Sequence, residues 1–137
     1  MANAENSNSL SMLMDKLKFN EDGLIPAIAQ SDDSYEILMM AWMNRDAIIE
    51  TLETGRACYY SRSRKQLWRK GESSGQIQTL KKFRIDCDAE TILLFVDQVG
   101  VACHTGRRSC FFEEVSKDGS TKIVADVLKS PDDLYGK

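Results

Sequence analysis

The chain has one histidine, no apolar run of bilayer length and no excess of basic charge. Each shortage removes a class of function. A transmembrane helix needs about 20 predominantly apolar residues, so no membrane helix is expected. Against 18 Lys and Arg stand 21 Asp and Glu, a net charge of -3. A general nucleic-acid binder would instead be clearly basic. The first thirteen residues lack the charged start and apolar core of a secretory signal, and the arginines of a transit peptide. The expectation is a cytoplasmic protein. In a reducing compartment its four cysteines read as free, metal-bound or catalytic rather than bridged. The C-x₂-C pairs of zinc ribbons and fingers are missing. So is the His-x-Glu and Pro-Cys-x-x-Cys signature of the zinc deaminases. There is no internal repeat, low-complexity tract or linker.

What remains is a 137-residue chain, 42% hydrophobic and 28% charged, which suits one domain able to bury its own core without disulfides. Residues 1–11, rich in Asn and Ser, read as a disordered tail, residues 12–130 as the domain, and 131–137 as a second tail. A short helix is predicted over Met12–Phe19. Leu24–Gln30 and Tyr35–Trp42 are apolar runs about the polar turn Ser31-Asp32-Asp33-Ser34, the pattern of a β-hairpin. Asn44 caps a helix over Arg45–Glu53 with Ala47, Ile48 and Leu52 on one face, and Gly55 stops it. Strands are predicted over Ala57–Arg62, Gln66–Lys70, Gln76–Asp86, Thr91–Val99 (central) and Cys110–Val115, with a strand or helix over Ile123–Leu128. Mostly strand with one early helix implies an α+β fold on a mainly antiparallel sheet.

The chemistry is concentrated in Asp86-Cys87-Asp88-Ala89-Glu90 and Cys103-His104-Thr105-Gly106-Arg107-Arg108-Ser109-Cys110. In an extended segment Asp86, Asp88 and Glu90 project to one face. Three carboxylates there either hold a hard cation such as magnesium or form a polar strand end at a turn. Cys87 points the other way, so a metal on it is not the one between the carboxylates; its site could lie on a partner chain. Cys87, Cys103 and Cys110 are either zinc donors or small buried hydrophobes. Three of them would leave one corner of a tetrahedral zinc open for water. Cys58, in an aromatic strand without polar company, reads as a buried hydrophobe. The lone His104, in a Gly-containing loop after a candidate thiolate, reads as a proton-transfer group, with a structural role as the alternative.

Ser61–Gly71 carries Arg62, Arg64, Lys65, Arg69 and Lys70 and no acid. With Ser63, Ser73, Ser74 and Gly75 it offers charges, hydroxyls and N–H groups for phosphate, or a solvated hairpin face. Trp68 either stacks on a base or packs in the core. Arg107 and Arg108 add charge beside the thiols.

These residues fall in blocks that resemble the phosphoribosyl-AMP cyclohydrolase family. The blocks are Gly23-Leu24-Ile25-Pro26-Ala27, Met40-Ala41-Trp42-Met43-Asn44, Tyr60-Ser61-Arg62-Ser63-Arg64 and Leu67-Trp68-Arg69-Lys70-Gly71-Glu72-Ser73-Ser74-Gly75, then Asp86-Cys87-Asp88, Cys103-His104-Thr105-Gly106 and Ser109-Cys110-Phe111. Seven blocks recur in order, from about residue 15 to about residue 115. The resemblance implies an intertwined homodimer that opens the adenine ring of phosphoribosyl-AMP at N1–C6, a step of histidine biosynthesis. It implies one zinc and one magnesium per subunit. Zinc would be held by Cys103 and Cys110 with Cys87 from the other subunit, and magnesium by Asp86, Asp88 and Glu90. Glu90 departs from the family's aspartate by one methylene. The pyrophosphohydrolase half sometimes fused to the family is not expected here. His104 is the candidate to take the water proton and return one to the leaving nitrogen. Arg62, Ser63, Arg64, Trp68, Lys70, Ser73, Ser74, Gly75 and Arg107 are candidate substrate contacts.

Overall fold

The computed structural model describes residues 4–135. Its order is α1 (Ala4–Lys16), β1 (Ile25–Ser31), β2 (Ile37–Met43), α2 (Arg45–Thr54), β3 (Cys58–Ser61), β4 (Gln66–Arg69), β5 (Gln78–Ile85), β6 (Ile92–Gln98), β7 (Glu113–Val115), β8 (Thr121–Ile123) and α3 (Pro131–Tyr135). Six strands form one sheet in the order β4-β3-β2-β1-β6-β5, and β7 pairs with β8 in a separate ribbon. All pairings are antiparallel except β1 with β6. The expected α+β class on a mainly antiparallel sheet is therefore observed.

Alternation places the core. On β1, residues 25, 27, 29 and 31 are buried and those between are half-buried. They meet Leu38 of β2, Ile92, Leu94 and Val96 of β6, Ile48 of α2, and Met14 and Leu17 at the end of α1. A fully buried aliphatic side chain stabilises by about 1.5–3 kcal/mol relative to exposure. β6 is buried along most of its length, as its apolar sequence required, although it lies one strand from the sheet edge.

The cap of α2 is as expected. Asn44 Oδ1 accepts from the Ala47 N–H at 2.8 Å, and Gly55, at φ 74°, donates back to the Thr51 carbonyl. Its buried face differs: Ala47, Ile48 and Thr51 are buried while Leu52 is exposed. The Thr51 hydroxyl donates to the Ala47 carbonyl at 2.8 Å and accepts the Cys58 N–H at 2.9 Å, joining helix to strand.

Several boundaries also differ. Helix α1 starts at Ala4, so residues 4–11 are helical rather than disordered; residues 1–3 of that tail lie outside the described residues. Residues 131–135 form α3, whose Leu134 is buried, while residues 136–137 of that tail lie outside the described residues. Tyr35 sits in the hairpin turn at φ 65°, and β2 begins at Ile37. Cys110 precedes the short β7, and beyond Ile123 the chain is irregular up to α3.

Candidate functional site

Residues 86–90 are not extended. They form the turn between β5 and β6, so strand alternation does not apply to them. Asp86 Oδ1 accepts from the N–H of Glu90 at 2.7 Å and of Thr91 at 3.0 Å. Ala89, at φ 57°, donates to the Asp86 carbonyl at 3.0 Å. This wrap brings Asp86, Asp88 and Glu90 together by another route: one carboxylate oxygen from each lies within 4.8 Å of the others. Three exposed oxygen donors of like charge fit a hard divalent cation. The extra methylene of Glu90 does not remove it from the group. Cys87 stands exposed on the same turn, outside that group.

The second cluster lies on the loop after β6. Ala102 and Cys103 donate their N–H groups to the carbonyls of Arg108 and Arg107, and Gly106 donates to the Cys103 carbonyl. At the far end the Cys110 N–H donates to the Leu38 carbonyl at 2.7 Å, and the Ser109 hydroxyl donates to the Ile37 carbonyl at 2.7 Å. Cys110 is thereby tied to β2, and Cys103 is held within the loop. Cys103 is buried, with Sγ 3.0 Å from Thr105 Oγ1. Cys110 opens to solvent, yet its thiol is pushed up to about 12, first by desolvation and then by Cys103 beside it. Lys70 is held below its usual range by burial, while Cys110 and Cys103 act in the opposite sense. Lys70 and Cys110 line one cleft. A bound cation would reverse this, since a coordinating thiol is deprotonated outright.

Sulfur donors suit zinc, and two of them converge here. The third does not. Among the described residues the carboxylate trio is the only group of three or more His, Cys, Asp or Glu donors. One chain thus does not bring Cys87 to Cys103 and Cys110.

Facing the thiols is a cleft of about 330 Å³, lined by Arg64, Trp68, Lys70, Ser73, Ser74, His104 and Cys110, with Arg69, Tyr135 and a few others completing the wall. It unites much of the basic segment with the lone histidine. The rest of that segment lies elsewhere. Arg62 and Ser63 line a separate, shallower pocket of about 500 Å³ with Trp42 and Tyr60, and Trp68 borders both. The Arg62 guanidinium lies 5.0 Å from the Trp42 ring centre. Arg69 is bidentate to Glu50, both contacts at 2.7 Å, which anchors β4 to α2. Gly75 lines neither pocket; its N–H donates to the Gly71 carbonyl at 2.7 Å and shapes the loop. Arg107 donates from Nε to the Ala125 carbonyl at 2.9 Å and stacks 4.2 Å over Phe112, so it braces the C-terminal segment. Arg108 donates to the Gly100 carbonyl at 2.7 Å. Cys58 is fully buried, and its thiol is pushed up to about 12 by burial and then by Glu50.

The sequence reading overlooked two features. One is a buried chain of amides. The Tyr59 hydroxyl meets Gln78, Gln78 Nε2 donates to Gln98 Oε1 at 2.8 Å, and Gln98 Nε2 donates to the Val99 carbonyl at 2.8 Å. Gln76 Oε1 then accepts the Val101 N–H at 3.0 Å, two residues before Cys103. Glutamines on one face of apolar strands, Gln76 and Gln78, were the available signal. The other is Tyr135, contributed by a segment read as tail.

Comparison with known proteins points to one family. The family model for phosphoribosyl-AMP cyclohydrolase matches residues 39–112. The chain is 63% identical over 120 residues to a protein of Rhodospirillum rubrum, covering 88% of this chain and 84% of the relative. It is 65% identical over 122 residues to one from Paramagnetospirillum magneticum (89% and 92%). A relative from Granulibacter bethesdensis is 58% identical over 127 residues (93% and 99%). All three are named phosphoribosyl-AMP cyclohydrolase.

Proposed function

The chain belongs to the phosphoribosyl-AMP cyclohydrolase family, and from that premise we propose how its residues carry out the ring-opening hydrolysis of histidine biosynthesis. Water adds to C6 of the N1-substituted purine, the C6–N1 bond breaks, and C6 is left as a carboxamide. The observation that carries the reading is the 330 Å³ cleft, where His104 and Cys110 face Arg64, Lys70, Ser73 and Ser74. A nucleotide needs both halves of that wall: a reactive end for the base and a cationic, hydroxyl-bearing end for phosphate.

In this reading Cys103 and Cys110 would hold zinc together with the partner subunit's Cys87, and Asp86, Asp88 and Glu90 would hold magnesium. When bound, zinc supplies a water of near-neutral pKa and magnesium a counter-charge for phosphate. The chain's own residues do the rest. His104 accepts the water proton at a ring nitrogen and returns one to N1 as that bond breaks. Arg64 and Lys70 balance phosphate charge, and the Ser73 and Ser74 hydroxyls donate to its oxygens. Holding the substrate at two ends fixes C6 against the reactive end, converting an encounter into an intramolecular step. Arg62 and Ser63, on the far side of Trp68, meet the second phosphate in this scheme. Arg107 contributes by holding the loop that carries His104.

A cytoplasmic homodimer follows from the same reading. Cys87 stands exposed at a turn, away from the other two thiols. Phe111, Val115, Ile123, Val124 and Leu128, on and around the β7–β8 ribbon, are all exposed. Apolar side chains gathered on one segment favour burial against a partner.

The test is absorbance after mixing the protein with zinc, magnesium and phosphoribosyl-AMP. Ring opening changes the purine chromophore; a binding module without catalysis leaves the spectrum unchanged.

A further inference from the structure

Among the described residues lining the 330 Å³ cleft, the aromatic side chains are Trp68 and Tyr135. Trp68 is already engaged: its ring packs on the buried Tyr59, with centroids 5.0 Å apart. Tyr135 is more than half exposed although its neighbour Leu134 is buried. The chain thus anchors Leu134 and places the half-exposed Tyr135 ring at the cleft wall.

That placement is built by the loop carrying His104. The N–H groups of Leu128 and Lys129 donate to the Gly106 carbonyl at 2.8 and 3.1 Å. Arg107 Nε donates to the Ala125 carbonyl, and its guanidinium covers Phe112. Gly106 has φ 91°, and a Cβ there would collide with the Lys129 carbonyl oxygen and lie 2.9 Å from Val127 Cγ1. The Leu134 N–H donates to the Ser130 carbonyl at 3.1 Å, and the Asp133 N–H to the Ser130 hydroxyl at 3.2 Å. The C-terminal segment is fastened to the His104 loop at Ala125, Leu128 and Lys129, its own turn at Ser130 leads to the buried Leu134, and Tyr135 is where it reaches the cleft.

We infer that Tyr135 is a substrate-binding residue whose ring packs against the purine of the nucleotide. The inference rests on the proposed hydrolase reading and extends it to a segment outside the blocks that carry the family resemblance. An exposed aromatic face beside cationic and hydroxyl groups is what a base attached to a phosphate recognises. The ring, rather than the hydroxyl, carries the contact.

The experiment is a substrate titration followed by purine absorbance for the wild type, Tyr135→Phe and Tyr135→Ala. Tyr135→Phe keeps the wild-type KM. Tyr135→Ala raises KM about tenfold, as loss of one base–aromatic stack does, and leaves kcat nearly unchanged. Tyr135→Leu, apolar but without a π face, raises KM likewise and serves should Ala loosen the segment. Unchanged KM in Tyr135→Ala and Tyr135→Leu, with the wild type turning over, overturns this inference alone. Loss of kcat at constant KM overturns it too, because the ring would then act elsewhere than in binding. No ring opening by the wild type removes the activity itself, and the inference with it.

Discussion

The hydroxyl of Tyr59 donates to Oε1 of Gln78 at 2.6 Å, inside a core where neither side chain is exposed. Burial, then the Cys110 and Cys58 thiols, raise the Tyr59 phenol above its ordinary value, which keeps it a neutral donor. Each amide in the chain behind it is oriented by the last, ending on the backbone before Cys103.

The first prediction concerns that chain. Tyr59→Phe leaves Gln78 Oε1 without its donor, and a buried orphan costs about 1–3 kcal/mol. Gln98→Leu costs more, because it also strips the carbonyls of Val99 and Gln76 of a donor. Urea unfolding of both variants should show lower midpoints in that order. Equal stability to wild type would mean that the network is idle.

A second prediction follows from Glu50 and Arg69. The bidentate guanidinium holds the Glu50 carboxyl below its usual range, chiefly through their hydrogen bonds. A lowered folded-state pKa contributes stability that is fully present above the ordinary glutamate range and lost as pH falls through the folded value. The pair is partly exposed, so the effect is modest and weakened by salt. Unfolding midpoints measured from pH 7 down to pH 3 should fall less for Glu50→Gln than for the wild type. Parallel pH curves would remove the pair from the acid response.

His104→Ala should lower turnover by about 10²–10⁴, the usual worth of a positioned proton-transfer group. Zinc content, measured by atomic absorption, should be retained, since the proposed donors are sulfurs. Near-normal turnover would remove His104 from the mechanism.

The 86–90 turn predicts opposite effects with and without cation. In metal-free protein, Asp88→Asn relieves like-charge repulsion and should not lower the melting temperature. The rise in melting temperature that magnesium gives the wild type should be lost in Asp88→Asn. An unaltered magnesium response would place the cation elsewhere.

Local features were legible where one signal decided the outcome. The cap at Asn44, the glycine stop at Gly55 and the alternation of β1 all follow from short-range chemistry. The proximity of the three carboxylates was expected for the wrong reason: they assemble through the Asp86 side chain folding a turn, not through a strand. Leu52 and Thr51 exchanged places because a threonine hydroxyl bonding two backbone groups is as buriable as a leucine, which hydrophobic periodicity does not see. The basic segment looked like a single field in sequence, yet the β3–β4 hairpin sends Arg62 and Arg64 to different pockets. Tyr135 was invisible because its position depends on backbone contacts made by Gly106 and Arg107, far back along the chain.

The most direct measurement is complementation between Cys87→Ala and Cys103→Ala subunits. Each variant alone should be inactive. Unfolded together and refolded, half the dimers become mixed, and each mixed dimer regains one of two intact sites. About a quarter of wild-type activity should then return. No recovery, or full activity of Cys87→Ala by itself, would contradict a site assembled from two chains.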